Sequence, residues 1–291
     1  MIFNFSQMEI VNEPFPYVVI ENFLEESDLE SLLEEFPKST SSFQNVMGGR
    51  SRLASDESEF YEFIEKSEAW GNFYSSLNSE AFVADVINTF SDKIKNYNPV
   101  GDFKTFTFDS NFLKKKASSS FLRNLDKCQL HTISSKDLLK VVFFRIIKKI
   151  TSSFSFFNPS IQEKELYLHL DISEASIGYE REIHHDNDNR LSAMTFYLSD
   201  QNNMQGGEFA IHEYIKEVPL ERCAPHPDES EMKLSRLITP KKNTLVLFLS
   251  TPNSYHSVPV IKSLKSTRKF VYAGISSKSA YVWANVIRHK Q

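Results

Sequence analysis

The residues best suited to chemistry lie in Glu182-Ile-His-His-Asp-Asn187, followed at once by an apolar run, Ser192-Ala-Met-Thr-Phe-Tyr-Leu-Ser199. Polar groups so costly to bury need a partner, and a metal ion is one. His184 and Asp186 stand two residues apart. In an extended chain, residues i and i+2 share a face, so imidazole and carboxylate can reach one ion together. His185 then falls on the opposite face, as a packing or supporting residue. Two histidines and one carboxylate with open positions opposite them form the facial arrangement that suits non-haem Fe(II) in oxygen chemistry. A second histidine is therefore required, and the downstream chain offers His212, His226, His256 and His289. His212 stands in an edge-like strand, His226 between prolines of a charged loop, and His289 near the end of the sequence. His256 differs from these. It follows Pro240-Lys-Lys-Asn-Thr-Leu-Val-Leu-Phe-Leu249, a buried-strand pattern, and precedes Ser257-Val-Pro-Val260.

The elements that must position these residues follow from periodicity. From Glu163 onward the chain breaks into short strand-like segments: Glu165–Ile172, Arg181–His185, Ser192–Leu198, Gly207–Ile211, Thr244–Leu249, His256–Val260 and Thr267–Ile275. Such a succession predicts a closed or double-sheet β architecture, of which the jelly roll is the common eight-stranded form. Glu213–Ser235 lacks alternation and carries three prolines and many charges, so it is read as a loop over the sheet mouth. Upstream, Pro16–Ile20 is a short strand, and a helix runs from Asn22 toward Pro37 with Leu29, Leu32, Leu33 and Phe36 on one face. Ser39–Ser58 is polar and is expected to be a loop. Helical patterns follow near Glu59–Leu77 and Glu80–Lys95. Helices first and strands later is the order of an α+β fold. The expected division is an N-terminal strand and helical layer (1–96), a mixed, basic insertion (97–163), the β core (164–276) and a C-terminal extension (277–291), all in one catalytic domain.

Composition narrows the function. The chain has 291 residues and is 41% hydrophobic, enough for a sizeable core. A net charge of −5 argues against nucleic acid or an anionic membrane as the main partner. Two cysteines in no paired spacing argue against a disulfide framework or a Cys-based zinc site. With no signal-peptide pattern and no membrane-length apolar run, a reducing cytoplasm is the expected location. One segment departs from the acidic average, since 113–149 holds ten basic residues, Lys114, Lys115 and Lys116 among them, against Asp126 and Asp137. This segment is either a solvated helix face or a lid that recruits an anionic substrate.

The set His184-x-Asp186, Phe196-Tyr-Leu198, Gly206-Gly-Glu-Phe209, the Pro-Lys-x-Asn-x-Leu-Val-x-Phe run at 240–248, His256-x-Val258 and Arg268 resembles the Fe(II)/2-oxoglutarate-dependent dioxygenases, within them the prolyl-hydroxylase-like branch. Phe15-Pro-Tyr-Val-Val-Ile-Glu-Asn-Phe-Leu24 also looks like the start of these enzymes. The resemblance covers roughly 160–276 and 14–37. It implies a double-stranded β-helix (jelly-roll, cupin-like) core in an α+β chain. It also implies His184, Asp186 and His256 as iron ligands, with 2-oxoglutarate and O2 as cosubstrates and ascorbate as a compatible reductant. Arg268 would pair the distal carboxylate of 2-oxoglutarate through its planar fork, with Lys269 as the alternative one residue away. Tyr197 would donate a hydrogen bond to the same carboxylate, its alternative being a core tyrosine.

The activity implied is hydroxylation of an unactivated C–H of an amino-acid, peptidyl (prolyl-like) or small-metabolite substrate, with release of succinate and CO2. A glycan-like or anionic metabolite is the alternative substrate, and a non-catalytic ligand-binding module the alternative role. Asp186 speaks against a halogenase, which would lack the carboxylate ligand. Gly274 speaks against a nucleic-acid dealkylase, which would carry a second arginine there.

Overall fold

The computed structural model describes residues 1, 3–5, 8–38, 44–46, 49–101, 103, 105–118, 164–200 and 204–284. Most of the basic segment, from 119 to 149, lies outside the described residues, as does His289.

The core is two facing sheets. The larger runs in the order β1 (Tyr17–Glu21), β10 (Thr244–Leu249), β7 (Arg190–Tyr197), β12 (Arg268–Ser277), β5 (Lys164–Ala175), β3 (Arg50–Ala54) and β2 (Gln44–Val46), with β4 (Phe106–Phe108) parallel to the start of β5. The smaller runs β6 (Arg181–His184), β11 (His256–Val258), β8 (Phe209–Tyr214) and β9 (Met232–Ile238). All other pairings are antiparallel. This is a double-stranded β-helix of the jelly-roll type, open at its edges rather than closed into a barrel.

Side-chain alternation gives the large sheet two different faces. Leu166, Leu168, Leu170 and Ile172 of β5, with Val271, Ala273 and Ile275 of β12, turn outward into an apolar core shared with the helices. The helices are α1 (Glu26–Glu34), α2 (Ser58–Lys66), α3 (Glu68–Leu77), α4 (Glu80–Thr89) and the single turn α5 (Ser91–Ile94). Phe23 and Phe73 meet Phe196 of β7 at ring-centroid distances of 5.2 and 6.0 Å. β7 is buried along its whole length because it has helices behind it and a cavity in front. Inward-facing Ala175, Tyr197, Val246, Phe248 and Phe270 meet Phe209, Ile211 and Ile238 of the small sheet in a second core.

Several sequence expectations are corrected. The helix expected over Glu59–Leu77 is two helices, because Ser67 leaves helical geometry and its hydroxyl caps α3 by accepting from the Trp70 amide at 3.2 Å. The pattern at Glu80–Lys95 likewise breaks at Phe90. Ser39–Ser58 is not a loop throughout, since it contains the β2–β3 hairpin that extends the sheet beyond β5. Glu213–Ser235 is not wholly a loop, since β9 begins at Met232 and pairs with β8. Among the described residues no helix is long and apolar enough to cross a membrane.

Candidate active site

β6 ends at His184, β11 begins at His256, and the two are register partners across the small sheet. Strand pairing therefore brings the rings to a centroid separation of 4.4 Å. Asp186, two residues past His184, completes a group whose ligand-capable atoms all lie within 4.8 Å of one another. Each histidine is oriented from behind: Nδ1 of His184 bonds the Glu182 carbonyl at 2.8 Å, and Nδ1 of His256 bonds the Ser254 carbonyl at 2.9 Å. With Nδ1–H donating, Nε2 carries the lone pair, the tautomer a metal ligand needs. Burial, and for His184 also the neighbouring His256 and Arg181, push both imidazoles toward the neutral form. Burial alone would raise the Asp186 carboxyl, but its attraction to His256, to the Arg190 guanidinium and to the Tyr272 hydroxyl outweighs burial and holds the carboxyl below the usual range.

The other histidines are accounted for as well. His212 Nε2 lies 2.8 Å from Ser257 Oγ, outside the triad. His226 stacks on His184 with ring centroids 6.2 Å apart, at the cavity wall. His185 also lines the cavity but stands outside the triad, with Nδ1 on the Asp186 carbonyl and its ring beside Tyr255.

Beside the triad a cavity of about 790 Å³ opens between the sheets. Arg268, 1% exposed, faces it from the start of β12. Lys269 points to the other face, with Nζ over the Phe36 ring at 4.6 Å. Arg268 is held by its Nη1, which donates to the Gly207 carbonyl at 2.5 Å, and by packing over Tyr197 and Phe270 at 4.8 and 5.1 Å. The Gly207 carbonyl is placed by a turn that only glycine permits: Gly206 has φ +78°, and a Cβ there would lie 1.9 Å from the Val260 oxygen. Among the described residues no carboxylate pairs with Arg268, its Nε has no partner, and the Tyr197 hydroxyl, 0% exposed at the residue level, has none either. A buried guanidinium without a counter-ion and an orphaned phenol beside it are unfavourable unless a ligand anion joins them.

Residues that motif reading missed surround Asp186. Tyr272 Oη donates to Asp186 Oδ1 at 3.0 Å, Arg190 Nη1 donates to Tyr272 Oη at 3.3 Å, and Ser250 Oγ lies 3.4 Å from Oδ2. Gly274 leaves the room for Arg190, since a Cβ on it would fall 1.9 Å from Nη1. One signal for these residues was present. Arg268, Phe270, Tyr272 and Gly274 are spaced by two, so if one faces the cavity all do.

Residues 161–274 match the family model described as the 2OG-Fe(II) oxygenase superfamily. This matched segment carries His184, Asp186, His256 and Arg268. The match and the triad support a 2-oxoglutarate-dependent dioxygenase, with Fe(II), 2-oxoglutarate and O2 as cofactor and cosubstrates. The donor set fits the metal: two neutral imidazoles and a carboxylate, with the cavity on their open side. No curated protein sequence matches the chain. Similar solved structures include a Pseudomonas putida prolyl-4-hydroxylase, 11% identical over 90% of this chain and 93% of that one, with a TM-score of 0.43. Others are the non-heme alpha-ketoglutarate-dependent epimerase SnoN from nogalamycin biosynthesis (10% identity, 94% and 83% coverage, TM-score 0.45) and Streptomyces hygroscopicus HygX with nickel and 2-oxoglutarate bound (9%, 92% and 85%, 0.44).

Proposed function

We propose that this oxygenase hydroxylates an unactivated C–H of a small-molecule substrate, with His184, Asp186 and His256 holding the iron and Arg268 and Tyr197 holding 2-oxoglutarate. The observation that carries this reading is the buried, unpaired Arg268 guanidinium in the same cavity as the triad. Iron bound there supplies the redox chemistry that converts 2-oxoglutarate and O2 to succinate and CO2 while oxidising the substrate. The protein's own residues supply position. Nδ1 hydrogen bonds fix both imidazoles with Nε2 facing the cavity, and Tyr272 fixes the rotation of the Asp186 carboxylate. Arg268 offers its fork to the distal carboxylate of the cosubstrate, and the Tyr197 hydroxyl donates to the same group. Phe209, Phe248 and Val258 line the wall near His256 and keep water from the reacting centre.

The test is consumption of 2-oxoglutarate and O2 by the Fe(II)-loaded protein. Succinate should form in proportion to O2 used, and removing iron with a chelator should stop it. Succinate formation that is indifferent to iron would sink the reading.

A further inference from the structure

The face of the large sheet that looks into the cavity changes character from one edge to the other. On β10 and β7 it carries Val246, Phe248, Ala193 and Thr195. On β5, the inward positions 169, 171 and 173 are His, Asp and Ser, while the outward positions 168, 170 and 172 are Leu, Leu and Ile. On β3, beyond β5, the inward residues are Arg50 and Arg52, both lining the same cavity as the triad. Charged residues inside a jelly roll are expensive, and the superfamily reaction described above uses none of these.

We infer that Arg50, seconded by Arg52, is the binding site for a carboxylate of the substrate, so that the substrate is a small organic acid. This inference rests on the iron-site reading above. Three features support it. First, Asp171, 1% exposed, is a single carboxylate shared by three groups: Arg50 Nη2 at 2.8 Å, Arg52 Nη1 at 3.2 Å and His169 Nε2 at 2.8 Å. Both guanidinium groups thus converge on one buried carboxylate. Arg52 also reaches Glu57, at 4.0 Å, and Lys116 meets Asp56 at 3.8 Å, whereas Asp171 is the one carboxylate that Arg50 meets among the described residues.

Second, Arg50's hydrogen bonds among the described residues run through Nε and Nη2, to Ser173 and Asp171. Asp171 and Ser173 thus act as a bracket that fixes the fork, and Nη1 is left to a ligand. Third, Arg50 lies over Phe270 and Tyr272, at 5.3 and 5.8 Å from the ring centroids. Tyr272 bonds Asp186, so one aromatic ring separates the guanidinium from the metal-ligand carboxylate. An acid anchored on Arg50 would extend its carbon skeleton along that ring toward the triad. The cavity volume suits 2-oxoglutarate together with one such molecule.

The test uses protein loaded with Mn(II) in place of iron and saturated with 2-oxoglutarate, so that the triad and Arg268 are occupied. Benzoate and its neutral isostere benzamide are the probes, and the paramagnetic relaxation of their protons is the readout. Benzoate should relax in a saturable way and benzamide should not. Arg50→Met should weaken benzoate binding by about 10- to 100-fold, the scale of a charge-assisted hydrogen bond. Arg50→Lys, which keeps a charge opposite Asp171 if the methionine variant folds poorly, should bind benzoate better than Arg50→Met. Equal relaxation of the two probes, benzoate that fails to relax, or benzoate relaxation that survives Arg50→Met would each overturn the inference. Failure of the iron-site reading shows separately, as absence of enhanced relaxation on the 2-oxoglutarate protons. Saturation transfer to benzoate then still reports on Arg50.

Discussion

Arg268 and Tyr197 form a pair in which Arg268 Nε and the Tyr197 hydroxyl have no hydrogen-bond partner among the described residues, while Nη1 of Arg268 is held by the Gly207 carbonyl. A charge-assisted bidentate contact is worth about 1.5–3 kcal/mol, so Arg268→Ala should raise the 2-oxoglutarate KM by about 10- to 150-fold. Iron affinity should change little. Lys269→Ala should leave the same KM unchanged, because that side chain packs on Phe36 on the far face. Tyr197→Phe removes one neutral donor, and about 0.5–1.5 kcal/mol corresponds to a two- to tenfold rise. Steady-state titration of 2-oxoglutarate checks all three. A larger effect at Lys269 than at Arg268 would mean that the cosubstrate binds elsewhere. That His184, Asp186 and His256 come together was legible from period-two spacing and one isolated histidine read with the family resemblance. Tyr272 and Arg190 were not, since neither belongs to a motif and their relation to Asp186 exists only after β7 and β12 pair.

At the scale of elements, β12 is the strand that links Arg268 to the hydrogen bonds around Asp186. It places Arg268, Phe270 and Tyr272 in the cavity and Gly274 under the Arg190 guanidinium. Gly274→Ala should force Arg190 aside and, as overpacking, destabilise the fold by about 1–3 kcal/mol. In combination with Arg190→Ala most of that loss should return, because the added methyl then has space. Urea denaturation of the two single variants and the double variant measures the coupling. Strict additivity would show that the two residues do not share the space. Tyr272→Phe should weaken Fe(II) binding by about 10- to 100-fold, as loss of a ligand's supporting hydrogen bond does, while leaving the triad itself intact.

Elements were legible where burial is one-sided or total: β10 matches its expected bounds, and β7 differs by a residue or two. β9 was missed because its five central residues are exposed, which erases alternation. β3 was missed because its inward residues are arginines, the polar face being the one turned to the interior. Helix breaks at Ser67 and Phe90 were missed because the apolar spacing continues across them.

At the scale of the whole molecule, the site depends on two sheets of different character. The large sheet is anchored by helices on its outer face and supplies Arg50, Tyr197 and Arg268 to the cavity. The small sheet, through β6 and β11, supplies the two histidines. Neither sheet contains a complete site. The charge expected at Lys114, Lys115 and Lys116 is paired with Glu65, Asp109 and Asp56, at 3.2, 3.8 and 3.8 Å. Exposed pairs of this kind contribute about 0–1 kcal/mol each. Of the three lysines Lys116 lines the same cavity as Arg50, and the proposed anchor for an anionic substrate is Arg50.

The central claim is that His184, Asp186 and His256 bind iron and present it to 2-oxoglutarate. The most direct measurement is the visible absorption of the Fe(II)-loaded protein under anaerobic conditions as 2-oxoglutarate is added. A weak charge-transfer band should grow in and saturate, and it should be absent in Asp186→Ala and in His256→Ala. His212→Ala and His226→Ala should retain it. A band that persists without His256, or one abolished by His226→Ala or His212→Ala instead, would contradict the account.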